Sequence, residues 1–516
     1  MIFHAVYSFI RQMKIFFYER KSLNKSHSRG IIVLAKNFLL LYTETMKIDR
    51  SGNHLLRNPY FGVGMEKLDR DAFDPNGVYD KVADLGVKWV RLQSGWAKTE
   101  KSKGKYDFAW LDDIVDNLRS RSLTPWICLC YGNPLYDERA KKVSGGVGCP
   151  PIDSDESIRA WENYCAALAS RYVGKVEYYE VWNEPEWLWN DVCDPQKYSE
   201  FCERTARAVK EGDPAAKIIA GSVASIDPSF LTKCVETGID KYADALSYHA
   251  YTYDERTFAE LNAYYDGICR KNGSDIKIIH GESGSQSRNG GNGAFKGFPT
   301  DPVKQAKHLL RQMVTDCMSG AFFSSYFTAV DMHENLLAKA GKPIKKHGYF
   351  GLLSASFDRC GIACGPFVPK PSYYALQNVC AFFSDGIKKG NVSCWIDRKK
   401  DDRNGRFLRI IKRRFSAIGS FWHDERLSDL TAYCVEKEDA IAFVYWESTD
   451  LLKKKSFSCG MKISFYEKRK PRLVDLLTGD VTDLVYEEKD GLIVIRNLPV
   501  KDYPLAVVFG NFVSVT

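Results

Sequence analysis

The sequence predicts a (β/α)8 barrel, or TIM barrel, followed by a C-terminal β-sandwich. Three observations indicate this fold. Eight short apolar runs alternate with amphipathic segments between residues 55 and 385, that length suits one barrel, and the alternation stops near residue 388. The chain has 516 residues, of which 45% are hydrophobic, so it is long enough for two separate cores. We therefore expect an N-terminal extension over residues 1–50, a barrel over 55–385 and a sandwich over 388–516.

The predicted barrel strands are short runs rich in Val, Ile, Tyr and Phe, each followed by turn residues. They are Tyr60–Met65, Val87–Leu92, Pro125–Cys130, Val176–Trp182, Lys217–Val223, Ala245–Tyr251, Ile276–His280 and Ala321–Val330. The segments between them place apolar residues on one helical face. These helices are Asn76–Leu85, Phe108–Ser120, Ser157–Arg171, Pro195–Val209, Pro228–Thr237, Arg256–Asn272, Pro302–Ser319 and Pro371–Phe383. An open doubly wound sheet is the alternative, but the glycine-rich dinucleotide fingerprint after its first strand is missing.

The C-terminal region contains only short β-type runs separated by turn pairs such as Asn404-Gly405 and Asp490-Gly491. The predicted strands are Val392–Ile396, Phe407–Ile411, Thr431–Val435, Ala440–Trp446, Lys462–Tyr466, Pro471–Asp475, Leu492–Ile495 and Ala506–Phe509. Strands at this spacing without helices are typical of a β-sandwich. We expect the sandwich to support the barrel. Carbohydrate binding is the more specific alternative role.

The net charge of +8 is concentrated in residues 1–50 and in Lys388–Arg414. The segment Lys388–Arg414 has eleven Lys or Arg residues against three Asp. A basic run can bind nucleic acid, but no nucleic-acid motif accompanies it. We interpret it as a solvated loop and expect no nucleic-acid partner. Such binding would instead give an affinity that falls steeply with salt.

The fifteen cysteines mostly have apolar neighbours, as expected for small core residues in a reducing compartment. Cys128-x-Cys130 lacks the partners of a zinc site. The apolar run Ile31–Leu41 is about half as long as a membrane-spanning helix. We therefore expect a cytoplasmic protein without stable membrane insertion. Residues 1–45 are interpreted as an upstream extension, a weak anchor or a misassigned start.

The C-terminal ends of barrel strands meet at one face, where barrel enzymes place their active sites. The candidate residues are Arg91 and Trp96 on or after the second strand, Asn133 after the third, Asn183, Glu184 and Trp187 after the fourth, His249 and Tyr251 on the sixth, and Glu282 after the seventh. Two glutamates on roughly opposite sides of the mouth suit the cleavage of a glycosidic bond. This chemistry requires no metal or cofactor, and the aromatic rings offer stacking faces for sugars.

Glu184 lies in the stretch VEYYEVWNEPEWLW, where tryptophans flank it on both sides. An apolar wall raises a carboxyl pKa by desolvation, and a general acid requires a raised pKa. Glu186 is an alternative acid two residues further on, although we expect it to point elsewhere. A solvated glutamate after an ordinary strand is the simpler interpretation of each glutamate, and their pairing argues against it.

The Asn183-Glu184-Pro185 sequence ending the fourth strand, with Glu282 ending the seventh, resembles the clan A retaining glycoside hydrolases over roughly residues 58–385. EVWNEPEW and YHAY fit family 39, the xylosidase/iduronidase group, or the cellulase-like family 5. The resemblance implies that Glu184 is the general acid/base and Glu282 the nucleophile. It also implies that Asn183 binds the sugar hydroxyl beside the reacting carbon. Many members end strand 8 with a tryptophan platform, whereas this chain has Phe327.

The resemblance further implies that Arg91 keeps Glu282 ionised and that His249 or Tyr251 hydrogen-bonds the carboxylates. The predicted function is a retaining glycosidase of the β-xylosidase or β-glucosidase kind. Exo action is expected because long loops after strands 3 and 7 can close the cleft into a pocket. A carbohydrate-binding barrel without turnover is the alternative, and the presence of both glutamates argues against it.

Overall fold

The computed structural model describes residues 46–186, 194–334, 346–384, 386–398, 414–415, 430–452 and 458–516. Eight parallel strands form a closed barrel in the order β7-β8-β1-β2-β3-β4-β5-β6. The strands are β1 Asn58–Gly64, β2 Val87–Gln93, β3 Thr124–Leu129, β4 Tyr178–Val181, β5 Lys217–Val223, β6 Ala245–Tyr248, β7 Lys277–Ser283 and β8 Ser324–Tyr326. The barrel prediction is confirmed.

The helices connecting the strands pack outside the barrel, as the sequence periodicity predicts. They are α1 Tyr79–Ala83, α2 Ala109–Ser120, α3 Asp155–Arg171, α4 Pro195–Gly212, α5 Ser229–Glu236, α6 Arg256–Lys271, α7 Pro302–Ser319 and α8 Pro371–Phe382. Local sequence sets three of their starts, because Ser154, Asp194 and Asp301 each accept backbone N–H groups of the first turn.

Aromatic side chains fill the N-terminal half of the barrel interior. Trp89 stacks on Phe323 with ring centroids 4.7 Å apart, and Trp126 and Tyr178 belong to the same buried cluster. Side chains two residues apart on a strand share a face, so Arg91 and Glu180 also point inward, one step nearer the C-terminal end. The apolar cluster therefore closes one end of the barrel and leaves the polar groups at the other.

Two features of the barrel were not predicted. The segment after β2 forms a short helix, Trp96–Thr99, and a hairpin of Glu100–Ser102 with Lys105–Tyr106. A second hairpin, Leu353–Phe357 with Ala363–Pro369, precedes α8, and Met332–His333 pairs with His347–Gly348. Both regions lie among the loops at the mouth, where hydrophobic periodicity carries little information.

The C-terminal region consists of two antiparallel sheets. One contains Met46–Lys47, Asp480–Asp483, Pro471–Asp475, Leu505–Phe509, Ala440–Glu447, Leu430–Lys437 and Lys388–Lys389 in spatial order. The other contains Arg414–Phe415, Cys394–Arg398, Ser458–Phe465, Leu492–Lys501 and Glu487–Lys489. Phe465 of the second sheet packs on Phe443 and Phe509 of the first, at 5.5 and 5.1 Å between ring centroids. The sheets thus face each other as a β-sandwich.

Several predicted features lie wholly or partly outside the described residues. They are the strand Phe407–Ile411, most of the basic run Lys388–Arg414, and the N-terminal segment 1–45. Within the part of the chain that the structure describes, no helix is long and apolar enough to cross a membrane. The described cysteines are free thiols, and most are buried, as expected for small core residues.

Candidate active site

Arg91 on β2 is the fully buried centre of the polar cluster at the barrel mouth. Its Nε donates to Glu180 Oε2 at 2.8 Å and its Nη2 to Asn183 Oδ1 at 2.8 Å. Its Nη1 donates to Glu282 Oε2 at 2.6 Å. A guanidinium group presents five N–H donors in a fixed plane, so one arginine can orient three groups from two strands, β4 and β7. Arg91 therefore fixes the relative positions of Asn183 and Glu282.

Glu180 is a functional candidate that the sequence analysis missed. The carboxylate is fully buried and accepts hydrogen bonds from Arg91 and from the Ser222 hydroxyl. Burial opposes its ionisation, but Arg91 and hydrogen bonds from His249 and Ser222 outweigh it and lower the pKa of Glu180 to about 2. An acidic residue at an inward position of an otherwise apolar strand was the available signal.

Glu184 follows β4 on a sharply turned backbone. Trp182 and Glu184 have positive φ values of 67° and 51°, a conformation that non-glycine residues adopt rarely. The Trp182 ring anchors the turn because it is fully buried against Tyr131 and Phe201. The Glu184 amide donates to the Ser222 carbonyl at 3.0 Å. This turn leaves the Glu184 side chain 28% exposed, within reach of solvent and substrate.

Glu282 lies near the end of β7 and faces Glu184 across the mouth. Its side chain is 11% exposed. Oε2 accepts from Arg91, and Oε1 accepts from the Tyr251 hydroxyl at 2.7 Å. One oxygen of Glu282, one oxygen of Glu184 and a ring nitrogen of His249 all lie within 4.8 Å of one another. The two carboxylates are therefore close together but have different partners, since Glu282 accepts from Arg91 and Tyr251 and Glu184 lies beside His249.

His249 lies fully buried between the carboxylates. Its Nδ1 is 3.3 Å from Glu184 Oε1 and 3.8 Å from Glu282 Oε2, and its Nε2 is 3.6 Å from Glu180 Oε1. Burial opposes the charged form, but Glu282, Glu180 and Glu184 together raise the pKa of His249 to about 9. The geometry of these side chains suits a cation, yet a histidine binds metal only when its ring nitrogen is deprotonated. At neutral pH the imidazolium supplies the positive charge itself.

Glu66, just beyond β1, is a second candidate that the sequence analysis missed. It is 2% exposed, its Oε1 lies 3.6 Å from Arg91 Nη1, and its Oε2 accepts from the Thr328 hydroxyl at 3.0 Å. Burial raises the pKa of Glu66 to about 7, although Arg91 favours ionisation. Glu66 thus shares the Nη1 group of Arg91 with Glu282.

The E66Q substitution tests this buried carboxyl group. In the folded protein Glu66 keeps its proton up to about pH 7, whereas the unfolded chain loses it near 4.5, so stability falls as pH rises between these values. Glutamine does not titrate. Between pH 4.5 and 8, the wild type should therefore lose on the order of 2 to 3 kcal/mol of unfolding free energy relative to E66Q. Urea unfolding across this range measures the difference, with the exposed Glu488→Gln as control. Parallel curves for wild type and E66Q would contradict it.

Two predicted substrate-binding residues are buried inside the loops at the mouth. Trp96 is fully buried, stacks on Tyr136 and Tyr164, and donates from Nε1 to Glu100 Oε2 at 2.5 Å. Asn133 is 1% exposed and bonds the backbone at the Glu100 carbonyl (2.9 Å) and the Leu135 amide (2.9 Å). Both shape the loop after β2, so neither presents a surface to a sugar. Trp187 lies outside the described residues.

Glu186 has a raised carboxyl pKa, which is the property that the sequence predicts for Glu184. Burial raises the pKa of Glu186 to about 7. Its Oε1 accepts from the Ser225 amide at 2.7 Å, which directs the carboxyl group toward the loop after β5. Glu186 therefore provides a matched comparison for Glu184 in mutagenesis.

Comparison with known proteins gives a family match and a shared fold. Residues 83–280 match the family described as Glycosyl hydrolases family 39. No curated protein matches the chain. The fold is shared with a family 39 glycoside hydrolase from the gut symbiont Bacteroides cellulosilyticus WH2, at 16% identity and TM-score 0.60, covering 90% of this chain and 82% of that one.

Two further solved structures show the same fold. A family 39 enzyme from Xanthomonas axonopodis pv. citri is 15% identical with TM-score 0.54, covering 90% of this chain and 96% of that one. A monomeric β-xylosidase from Caulobacter crescentus CB15 is 16% identical with TM-score 0.52, covering 90% and 97%. The chain is a glycoside hydrolase. Within that class it is similar to family 39 of clan A.

Proposed function

We propose that the protein is a retaining glycosidase in which Glu282 is the nucleophile and Glu184 the general acid/base. The observation that carries this proposal is the short distance between the two carboxylates, whose nearest oxygens lie within 4.8 Å. Retaining enzymes hold their carboxyl groups about 5 to 5.5 Å apart, whereas inverting enzymes leave about 6.5 to 9.5 Å for a water molecule. The shorter spacing favours direct attack by a carboxylate.

The contacts of the two glutamates support these roles. Glu282 accepts hydrogen bonds from Arg91 and Tyr251, which stabilise its anion and aim it into the mouth. Glu184 lies beside His249, and its partly exposed side chain can reach a leaving group and transfer a proton to it.

The reaction then proceeds in two displacements. In the first, Glu282 Oε attacks the anomeric carbon, the bond to the leaving oxygen breaks, and the proton of Glu184 passes to that oxygen. In the second, Glu184 takes a proton from water, the water oxygen attacks the anomeric carbon, and the ester bond to Glu282 breaks. Asn183 keeps its amide N–H groups for the neighbouring sugar hydroxyl, because its Oδ1 is bonded to Arg91.

The proposed substrates are small β-glycosides of xylose or glucose, cleaved from the chain end. Two long loops support exo action, since residues 130–154 and 284–301 follow the C-terminal ends of β3 and β7, where the mouth lies. The match to family 39 and the fold shared with a β-xylosidase from Caulobacter crescentus CB15 support a xylosidase-like activity. A screen of aryl glycosides of xylose, glucose, galactose, mannose, arabinose and uronic acids identifies the sugar. Binding without turnover of any of these would indicate a carbohydrate-binding barrel instead.

Removing Glu184 tests the acid/base role. In the Glu184→Ala variant, kcat/KM on an aryl glycoside with a poor leaving group should fall by roughly 10²- to 10⁴-fold. A dinitrophenyl glycoside needs no proton for departure, so its first step survives and the second limits turnover. Added azide should then restore the rate and yield a glycosyl azide of retained configuration.

The matched variant is Glu186→Ala, at the neighbouring glutamate. It should retain activity within about tenfold of wild type and show no acceleration by azide. Azide rescue of Glu186→Ala, with none in Glu184→Ala, would transfer the acid/base role to Glu186.

A further inference from the structure

A cavity of about 390 Å³ lies where the barrel mouth meets the C-terminal sandwich. Its volume is within the range of small-molecule binding pockets. Three segments line it: residues 251–256 after β6, two phenylalanines after β7, and residues 448–450 and 452 of the sandwich. We propose that this cavity binds a second, neutral sugar ring of the substrate. This ring is joined to the sugar that occupies the catalytic centre. This inference rests on the proposed glycosidase function.

Tyr251 connects the cavity to the catalytic carboxylates. Its side chain lines the cavity, and its hydroxyl donates to Glu282 Oε1 at 2.7 Å. The cavity therefore begins within the length of one tyrosine side chain from the proposed nucleophile. A sugar joined to the ring at the catalytic centre can reach it without leaving the mouth.

The wall formed by the loop after β7 is aromatic. Phe295 packs on Tyr253 with ring centroids 4.3 Å apart, and Phe298 meets the edge of Phe295 at 6.0 Å. Phe298 remains 45% exposed although it is a large apolar side chain. A pyranose ring has an apolar face of C–H groups, which packs favourably against such an aromatic surface.

The opposite wall supplies hydrogen-bond acceptors. Asp450 is exposed and accepts only the Leu452 amide, at 2.9 Å, among its described hydrogen bonds, and a carboxylate has capacity for several donors. Asp254 is paired with Arg256 through two hydrogen bonds of 2.7 Å. Asp450 thus leaves a negative charge in the cavity. Sugar hydroxyls can donate to it, whereas a uronic acid would be repelled, which selects a neutral ring.

Buried ionic contacts fix the sandwich wall relative to the barrel. Glu255, directly after Asp254, is 3% exposed and accepts from Trp446 Nε1 at 2.7 Å and Ser448 Oγ at 2.5 Å. Arg311 of α7 donates to Glu255 Oε2 at 3.2 Å and to the Thr449 carbonyl at 2.8 Å. The cavity is therefore preorganised, because both walls are held by side chains that water does not reach. The sandwich contributes directly to substrate binding.

The test compares two substrates of the sugar that the enzyme accepts, a trisaccharide and the glycosyl fluoride. The fluoride has no second ring, so any further subsite stays empty. In Phe298→Ala and in Asp450→Ala, kcat/KM on the trisaccharide should fall about tenfold, mainly through KM, while kcat/KM on the fluoride stays within about twofold. Tyr466→Ala, which removes an exposed aromatic ring elsewhere on the sandwich, is the control and should change neither value.

The outcomes separate this inference from the proposed function. Unchanged kcat/KM on the trisaccharide in both variants, or equal losses on both substrates, would overturn the subsite and leave the glycosidase function standing. If the wild-type enzyme hydrolysed neither substrate class for any sugar, the proposed function would fail and the subsite with it. Melting temperatures equal to wild type show that the variants are folded.

Discussion

Replacing Glu282 with glutamine should lower kcat by roughly four orders of magnitude or more. Glutamine has nearly the same shape and can still accept a hydrogen bond from Arg91, so the site geometry should survive. Its amide oxygen is a poor nucleophile, and the first displacement loses the group that forms the covalent bond. Losses of this size are typical when the nucleophile of a covalent mechanism is removed. Steady-state hydrolysis of an aryl glycoside measures the effect.

The control for this experiment is Glu334→Gln, in the loop after β8. Glu334 forms an ion pair with Lys67 at 2.7 Å and does not contact Arg91. Its substitution should leave kcat within about tenfold of wild type, because surface and rim charges contribute little to a chemical step. If Glu282→Gln also remained within tenfold, Glu282 would not be the nucleophile.

Replacing Arg91 with methionine should destabilise the protein by about 3 to 5 kcal/mol as well as abolish activity. Methionine fills much of the same volume without the charge. Glu180 and Glu282 would then lie buried without the cation that balances them, and leaving a buried charge unpaired costs far more than the pair itself contributes. Denaturant unfolding near neutral pH measures the loss.

Two further variants separate charge from geometry at this position. Arg91→Lys retains the positive charge, but one ammonium group cannot reproduce the planar set of bonds to Glu180, Asn183 and Glu282. It should recover part of the stability and little activity. Arg207→Met removes an exposed arginine paired with Glu203 and should cost less than about 1 kcal/mol. An Arg91→Met variant as stable as Arg207→Met would contradict the buried network.

The barrel and most of its mouth were predictable from the sequence. Strands and helices were recognisable because apolar residues recur at the spacing that each element requires. Arg91, Asn183, His249, Tyr251 and Glu282 converge because parallel strands all end at one face of a closed barrel. Their direct contacts with one another follow from that topology and from the alternation of side chains along each strand.

The residues that sequence reasoning missed or misplaced have physical explanations. Glu180 stands among apolar residues of a strand, and only the closed barrel shows that its inward position meets a buried arginine. Glu66 follows a strand by two residues and accepts a hydrogen bond from the Thr328 hydroxyl, which lies far away in the sequence. Trp96 and Asn133 depend on the path of the loop after β2, because Asn133 donates to the carbonyl of Glu100, which is distant in sequence.

Glu282 should form a covalent bond with the sugar, and trapping of that intermediate tests this step most directly. A 2-deoxy-2-fluoroglycosyl fluoride of the accepted sugar has a good leaving group, while its fluorine slows the second displacement. We expect the protein mass to increase by one fluoroglycosyl unit, and the modified peptide after proteolysis to contain Glu282. A modification on another residue, or none in an enzyme that hydrolyses the parent glycoside, would contradict the proposed mechanism.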